Sequence, residues 1–152
     1  MSGVVVGGKL IGSGSWERKL RAAFETWASE DIDDAYWDDQ FKSDKWLYGN
    51  ETRRKNGETV TSPRDIYDLG ALYDSGRESF RITQGSLDIT ASWNWDATNS
   101  SGRAYAWYVH EGLGTNVTPR PWTDELQVPS KFDASSLKLA LKRRIKTAFR
   151  GK

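Results

Sequence analysis

Apolar residues recur along this chain with two different periods. Trp16, Leu20, Phe24 and Trp27 fall at spacings of four, four and three, which is one face of a helix. Ser15 stands where an N-cap belongs. The spacing predicts a helix over 16–29, with Arg18, Lys19 and Arg21 largely off the apolar stripe. A second helix, broken near Ser43, is expected across 30–48, where Tyr36, Trp37, Phe41 and Trp46 sit among aspartates. Near the far end Leu137, Leu141, Ile145, Ala148 and Phe149 return to helical spacing, with Ser135 or Ser136 as the cap. Lys138, Lys142, Arg143, Lys146 and Arg150 occupy the rest of that helix.

Between these helices the period drops to two. Residues 78–83 and 87–93 alternate as half-buried strands do, joined by a turn at Gln84-Gly85-Ser86. A third strand is expected over 104–109. Residues 49–63 are polar with little periodicity and predict an exposed loop or hairpin. Residues 63–75 suggest an extended segment and turn with a short helical turn. Residues 94–102 read as a polar loop carrying Trp95, and 112–119 as another loop. Pro121 suits the first turn of a short helix running through Trp122 to Leu126, ended by Pro129.

These elements predict an α+β fold: an antiparallel sheet of about three to five strands packed by an N-terminal and a C-terminal helix. A length of 152 residues suits one domain. The expected division is a flexible arm or short edge strand at 1–14, then a single domain over 15–152 with an insertion-like acidic and polar region at 31–63. With no cysteine, thiol catalysis, disulfides and cysteine-based zinc sites drop out. No run approaches the ~18 apolar residues of a membrane helix. Residues 1–11 carry Val4-Val5-Val6 but neither a basic n-region nor a long apolar h-region, so no signal peptide is predicted.

The net charge of +1 conceals an asymmetry. Residues 25–39 hold seven acids (Glu25, Glu30, Asp31, Asp33, Asp34, Asp38, Asp39) and no Lys or Arg. Residues 131–152 hold eight bases and one acid, a net of +7, which leaves 1 − 7 = −6 on the rest. Either both runs are solvated helix faces, or a bipolar molecule pairs head to tail with copies of itself. The eight tryptophans fit interfaces, glycan sites and cores alike.

Catalytic chemistry finds little purchase. His110 is the one histidine, and on a strand its neighbour Glu111 would point to the opposite face, which argues against a shared metal or triad. The acidic run lacks the central glycine and spaced glutamate of a helix–loop–helix calcium site. Gly12-Ser13-Gly14-Ser15 lacks the Gly-Lys-Ser/Thr ending of a phosphate-binding loop. No catalytic residue, metal site or cofactor is expected. The basic helix is the serious rival, since Lys138, Lys142 and Lys146 lie four apart on one face and suit phosphates.

Three phrases carry a family likeness. They are Leu69-Gly70-Ala71-Leu72-Tyr73-Asp74-Ser75, then Tyr105-Ala106-Trp107-Tyr108-Val109-His110-Glu111-Gly112, then Arg120-Pro121-Trp122 before the last helix. In that order, across 65–149, the chain resembles the tail-completion or neck proteins of tailed bacteriophages, the minor tail component of lambdoid type. Leu69 stands where that family commonly has Thr. The resemblance implies a structural virion protein, not an enzyme. Its copies would form a homo-oligomeric, six-fold ring at the head–tail junction that completes or terminates the tail and docks to neighbouring neck and tail-tube proteins. Assembly would take place in the host cytoplasm, without membrane or direct DNA contact.

The residues it marks for contacts are Tyr105, Trp107, Tyr108, Gly112, Leu113, Thr115, Arg120 and Trp122, together with Lys138, Lys142 and Lys146. Gly70, Leu72, Ser75, Gly112, Arg120 and Pro121 would hold the motif's shape, Gly70 and Gly112 at sharp reversals and Arg120 reaching Glu111 or Asp124. The alternatives are a nucleic-acid-binding module using the basic helix and, third, a Trp-lined glycan binder or hydrolase.

Overall fold

The computed structural model describes residues 2–9, 14–85, 88–113, 119–123 and 134–150. It is a mixed α+β fold with antiparallel sheets of three and two strands. The first helical stretch is longer than its spacing suggests. α1 (Ser15–Thr26) runs directly into a π-helical segment (Trp27–Tyr36) and then α2 (Trp37–Lys42). The expected separation into two helices does not occur. Through the π segment the buried residues Trp27, Ala28, Ile32, Tyr36, Trp37 and Phe41 recur four to five apart, the period of a wider turn. Residues 31–63, expected as an insertion, thus supply Ile32, Tyr36, Trp37, Phe41 and Trp46 to the core. Ser15 is the first helical residue instead of the cap; Gly14 takes that place at φ 109° with no side-chain cap bond. The run ends where Ser43 turns extended.

Where an arm or edge strand was expected, β1 (Ser2–Lys9) forms one edge of the main sheet. β4 (Arg81–Gln84) is the other edge and β5 (Asp88–Trp95) is central, both partners antiparallel to it. Val4 lies opposite Trp93, while Val6 and Ile82 lie opposite Ala91 on either side. β5 alternates cleanly, with Ile89, Ala91, Trp93 and Trp95 buried and Thr90, Ser92 and Asn94 half-buried on the other face. Trp95, expected in a loop, is therefore the last inward residue of the central strand. β2 (Thr52–Arg53) and β3 (Thr59–Val60) pair as a small separate hairpin within the polar stretch.

The helical run packs its aromatics onto the inner face of β5. Trp37 meets Trp93 and Trp95 edge-on at 5.8 and 4.8 Å between ring centres, and Phe41 stacks on Trp95 at 6.3 Å. Such pairs add about 0.5–1.5 kcal/mol each beyond their buried area. Phe80 closes the other side, stacked on Trp93 at 4.9 Å. α3 (Ala71–Glu78) starts after Gly70 and crosses Trp95 at Gly76, where a Cβ would fall 2.2 Å from the indole nitrogen. The strand expected over 78–83 starts only at Arg81, because α3 takes up Glu78.

The third expected strand, over 104–109, is instead a short helix, α4 (Ala106–Glu111). Only Ala104 keeps strand pairing, as a single bridge to Thr98. The β-formers in this phrase lose to tertiary burial, since Ala106 and His110, four apart, both turn inward. α5 (Ala134–Arg150) contains both Ser135 and Ser136, so neither is its cap. It packs on α1 and the π segment, where the Trp27 indole donates to the Leu137 carbonyl at 2.9 Å.

Gly76→Ala should lower stability by about 1–3 kcal/mol, because the buried indole has no room to retreat. A fall in the urea midpoint with unchanged slope would show it.

Candidate assembly surface

The three sequence phrases meet in space. A cavity of about 210 Å³ is lined by Leu69 to Tyr73 of the first phrase and the preceding Asp68, by Tyr105 and Val109 of the second, and by Arg120 of the third. Gly70 and Gly112 do sit at reversals, at φ 88° and 68°. Gly112 closes α4, its N–H and that of Leu113 both bonding to the Tyr108 carbonyl. A Cβ on Gly112 would lie 2.6 Å from Pro119. Leu72 is buried, and the Ser75 hydroxyl donates to the Leu72 carbonyl at 2.9 Å. Arg120 donates its backbone N–H to the carbonyls of Val109 and His110, tying the third phrase to α4. Its guanidinium lies 4.8 Å from the centre of the Tyr48 ring. Of the two expected carboxylate partners, Glu111 turns to His110 instead, and Asp124 lies outside the described residues.

α4 divides the expected contact residues into two groups. Trp107, Tyr108 and, just past the cap, Leu113 face outward at 45, 54 and 44% exposure. Leu69, on the rim of the shared cavity, is 63% exposed. Trp122 is the correction: it is fully buried, 5.4 Å from Phe41 and 5.9 Å from Trp95 between ring centres. It anchors the third phrase in the core and offers nothing to a partner. Tyr105 and Pro121 are half-buried, and burial beside Asp68 raises the Tyr105 phenol. Thr115 lies outside the described residues.

The charge asymmetry closes largely within the chain. Six of the seven acids over 25–39 have an internal cationic partner. Arg144 of α5 bridges Glu30 and Asp31 at 2.6 and 3.1 Å. Arg77 of α3 pairs with Asp33 at 3.0 Å and with Asp34. Lys42 holds Asp38 at 3.0 Å and Lys45 holds Asp39 at 2.8 Å. Head-to-tail pairing of these runs between copies therefore loses much of its acidic half. Lys138, Lys142 and Lys146 stay exposed on α5. Burial alone would raise Asp38, but hydrogen bonds from the Tyr73 hydroxyl and Lys42 outweigh it and hold the carboxyl low. Asp33 goes the other way: burial raises it against the Trp93 indole, which donates at 2.8 Å, and against Arg77.

The helical form of α4 also overturns the separation of His110 from Glu111. The buried imidazole has its Nδ1 2.6 Å from Glu111 Oε1 and its Nε2 2.7 Å from the Thr123 hydroxyl. With Glu111 ionised, Nδ1 donates and Nε2 accepts from Thr123. A carboxylate–imidazole–hydroxyl chain is the skeleton of a catalytic triad. Here the ring lies under Trp107 at 6.3 Å and edge-on to Trp122 at 4.9 Å. His110, Glu111 and Thr123 do not line the cavity where the three phrases meet. The arrangement clamps 119–123 onto α4 and leaves both imidazole nitrogens satisfied.

Among the described residues no group of three His, Cys, Asp or Glu is placed to hold a metal ion. No helix there is long and apolar enough to cross a membrane. Comparison with known proteins supplies no relative: no family model, curated protein or solved structure matches the chain.

Trp122→Ala should cost about 3–5 kcal/mol, whereas Tyr108→Ala should stay within about 0.5 kcal/mol; paired urea melts separate the core anchor from the surface ring. Tyr73→Phe should raise the Asp38 pKa, read by carboxyl carbon NMR. Because that pKa is depressed in the fold, Asp38 contributes stability above its unfolded pKa and loses it as pH falls through the folded value. The variant should therefore show a shallower acid-side loss of stability.

Proposed function

We propose that this chain is a non-enzymatic assembly component, a structural virion protein of a tailed phage that forms a ring at the head–tail junction. The observation that carries the reading is the outward face of α4. Trp107, Tyr108 and Leu113 stand in solvent beside the cavity where the three family-like phrases converge. Large stiff aromatics on a short, well-anchored element are the residues that dominate binding energy at interfaces. Gly112, Arg120 and the His110 clamp hold that element in place. The edge strands β1 and β4 pair on one side only among the described residues, which suits a heterologous contact repeated around a ring.

A second reading rests on α5, whose exposed Lys138, Lys142 and Lys146 suit a nucleic-acid backbone. In the assembly reading the same lysines meet acidic neighbours in the neck or tail.

Purified protein should run as a multimer by light scattering and give rings in negative-stain images, and the chain should be present in virions. A Trp107→Asp/Tyr108→Asp variant should remain folded and become monomeric. Wild-type protein that stays monomeric at high concentration and is missing from virions would sink the proposal. Duplex binding at low salt that disappears in Lys138→Glu/Lys142→Glu/Lys146→Glu, with oligomer state unchanged, would favour the second reading.

A further inference from the structure

The polar hairpin, which the sequence presents as an exposed loop, builds one wall of a second cavity of about 330 Å³. Five cationic side chains line it: Arg53, Arg54 and Lys55 from the β2–β3 hairpin, Arg64 from the segment bridged to Trp46, and Arg120 from the third phrase. Among the described residues two carboxylates line it, Asp65 and Asp68, and a third, Glu58, holds Arg54 Nη1 at 3.2 Å, so five cations meet three carboxylates, an excess of 5 − 3 = 2 positive charges. The two lining carboxylates already have partners. Asp65 is bound by Arg54, and Asp68 accepts the backbone N–H groups of Lys55 and Asn56 at 3.1 and 3.2 Å.

Arg64 is the most telling of the five. Only 5% of it is exposed, yet its Nη1 has no hydrogen-bond partner among the described residues. Its guanidinium lies over Tyr48, 3.2 Å from the ring centre, and Arg120 approaches the same ring. A buried cation is ordinarily paired, because leaving its donors unmet costs free energy. Crowding like charges in one recess adds to that cost. Arg120 shows the crowding: burial lowers its guanidinium, Tyr48 works against that, and Arg64 and Arg54 add to it. An anion in the recess would meet the open Arg64 donor and offset the crowding.

We infer that this cavity is a binding site for a phosphoryl dianion, held by Arg64 with Arg53 and Lys55 at the hairpin and flanked by Arg54 and Arg120. A guanidinium fork matches the oxygens of phosphate in pairs, which ammonium groups do not. A twofold charge excess among the described residues favours a dianion over a single carboxylate. The volume exceeds that of one phosphate and leaves room for a small esterified group. The site adjoins the cavity beside α4, but none of the outward residues Trp107, Tyr108 and Leu113 lines it, so phosphate uptake and oligomeric state are read independently and either can fail alone.

The test is calorimetric titration of the full chain with inorganic phosphate, adenosine monophosphate and acetate at constant ionic strength. Saturable one-to-one uptake of phosphate is expected, with acetate at least about tenfold weaker. Arg64→Gln should reduce phosphate affinity about tenfold or more. Because Arg64 is buried, Arg53→Gln/Lys55→Gln at the open hairpin is the companion variant, expected to fold normally and to bind several-fold more weakly. Tighter binding of adenosine monophosphate than of free phosphate supports an esterified ligand, and equal binding supports phosphate itself. No saturable uptake below about 10 mM, equal binding of acetate, or affinity unchanged in the hairpin variant would each overturn the inference.

Discussion

The packing of Trp37 and Phe41 against Trp93 and Trp95 is the contact on which the other elements rest. It joins the long helical run to the central strand, and several neighbouring segments reach the core through these rings. Phe80 stacks on Trp93, α3 passes over Trp95 at Gly76, and Trp122 packs against both Phe41 and Trp95. Rings of this size bury large apolar area with little rotamer entropy to lose. That lets a three-stranded sheet carry a core which smaller side chains would leave underfilled. It also explains the tryptophan content: six of the eight are core residues, and only Trp16 and Trp107 are substantially exposed.

The same contact requires the π segment. Moving from the face toward α5 to the face toward β5 within one continuous helix calls for a change of period, and the wider turn supplies it. Trp27 then bonds to Leu137 of α5, while ten residues later Trp37 meets the sheet. The acidic side chains of this stretch are carried between α5 and α3, where Arg144 and Arg77 neutralise them. Exposed pairs of this kind are worth little singly. Asp33 differs, since it is buried and also accepts the Trp93 indole N–H, so it links the charged network to the aromatic core.

The α4 surface depends on that core from a distance. Trp122 and His110 pack edge to face, and His110 in turn holds Glu111 and Thr123. The outward aromatics are therefore mounted on a short helix anchored by a buried ring and by polar contacts on both imidazole nitrogens. A site of this kind presents its groups with little ordering cost on binding. The cationic cavity beside it shares Lys55, Ile66, Asp68 and Arg120 with the cavity under α4. Four residues thus belong to both recesses.

Period and composition were enough to settle the α+β class, the two terminal helices and the inward face of the central strand. Each is written in a local repeat of apolar residues, and the long-range packing agrees with it. Gly70 and Gly112 were legible as reversals for a similar reason, because a left-handed backbone leaves its mark on a single residue. The strand expected at 104–109 shows where local reading stops. Its β-forming residues became a helix because Ala106 and His110 had a place to be buried four residues apart. Trp122 looked like an interface residue and proved to be core, since nothing nearby in sequence announces Phe41 and Trp95. Opposite charges 113 residues apart, Arg144 and Asp31, close part of an asymmetry that the linear chain displays openly. Arg54, Arg64 and Arg120 formed a cluster for the same reason: proximity between distant residues is decided by tertiary packing, and no local pattern encodes it.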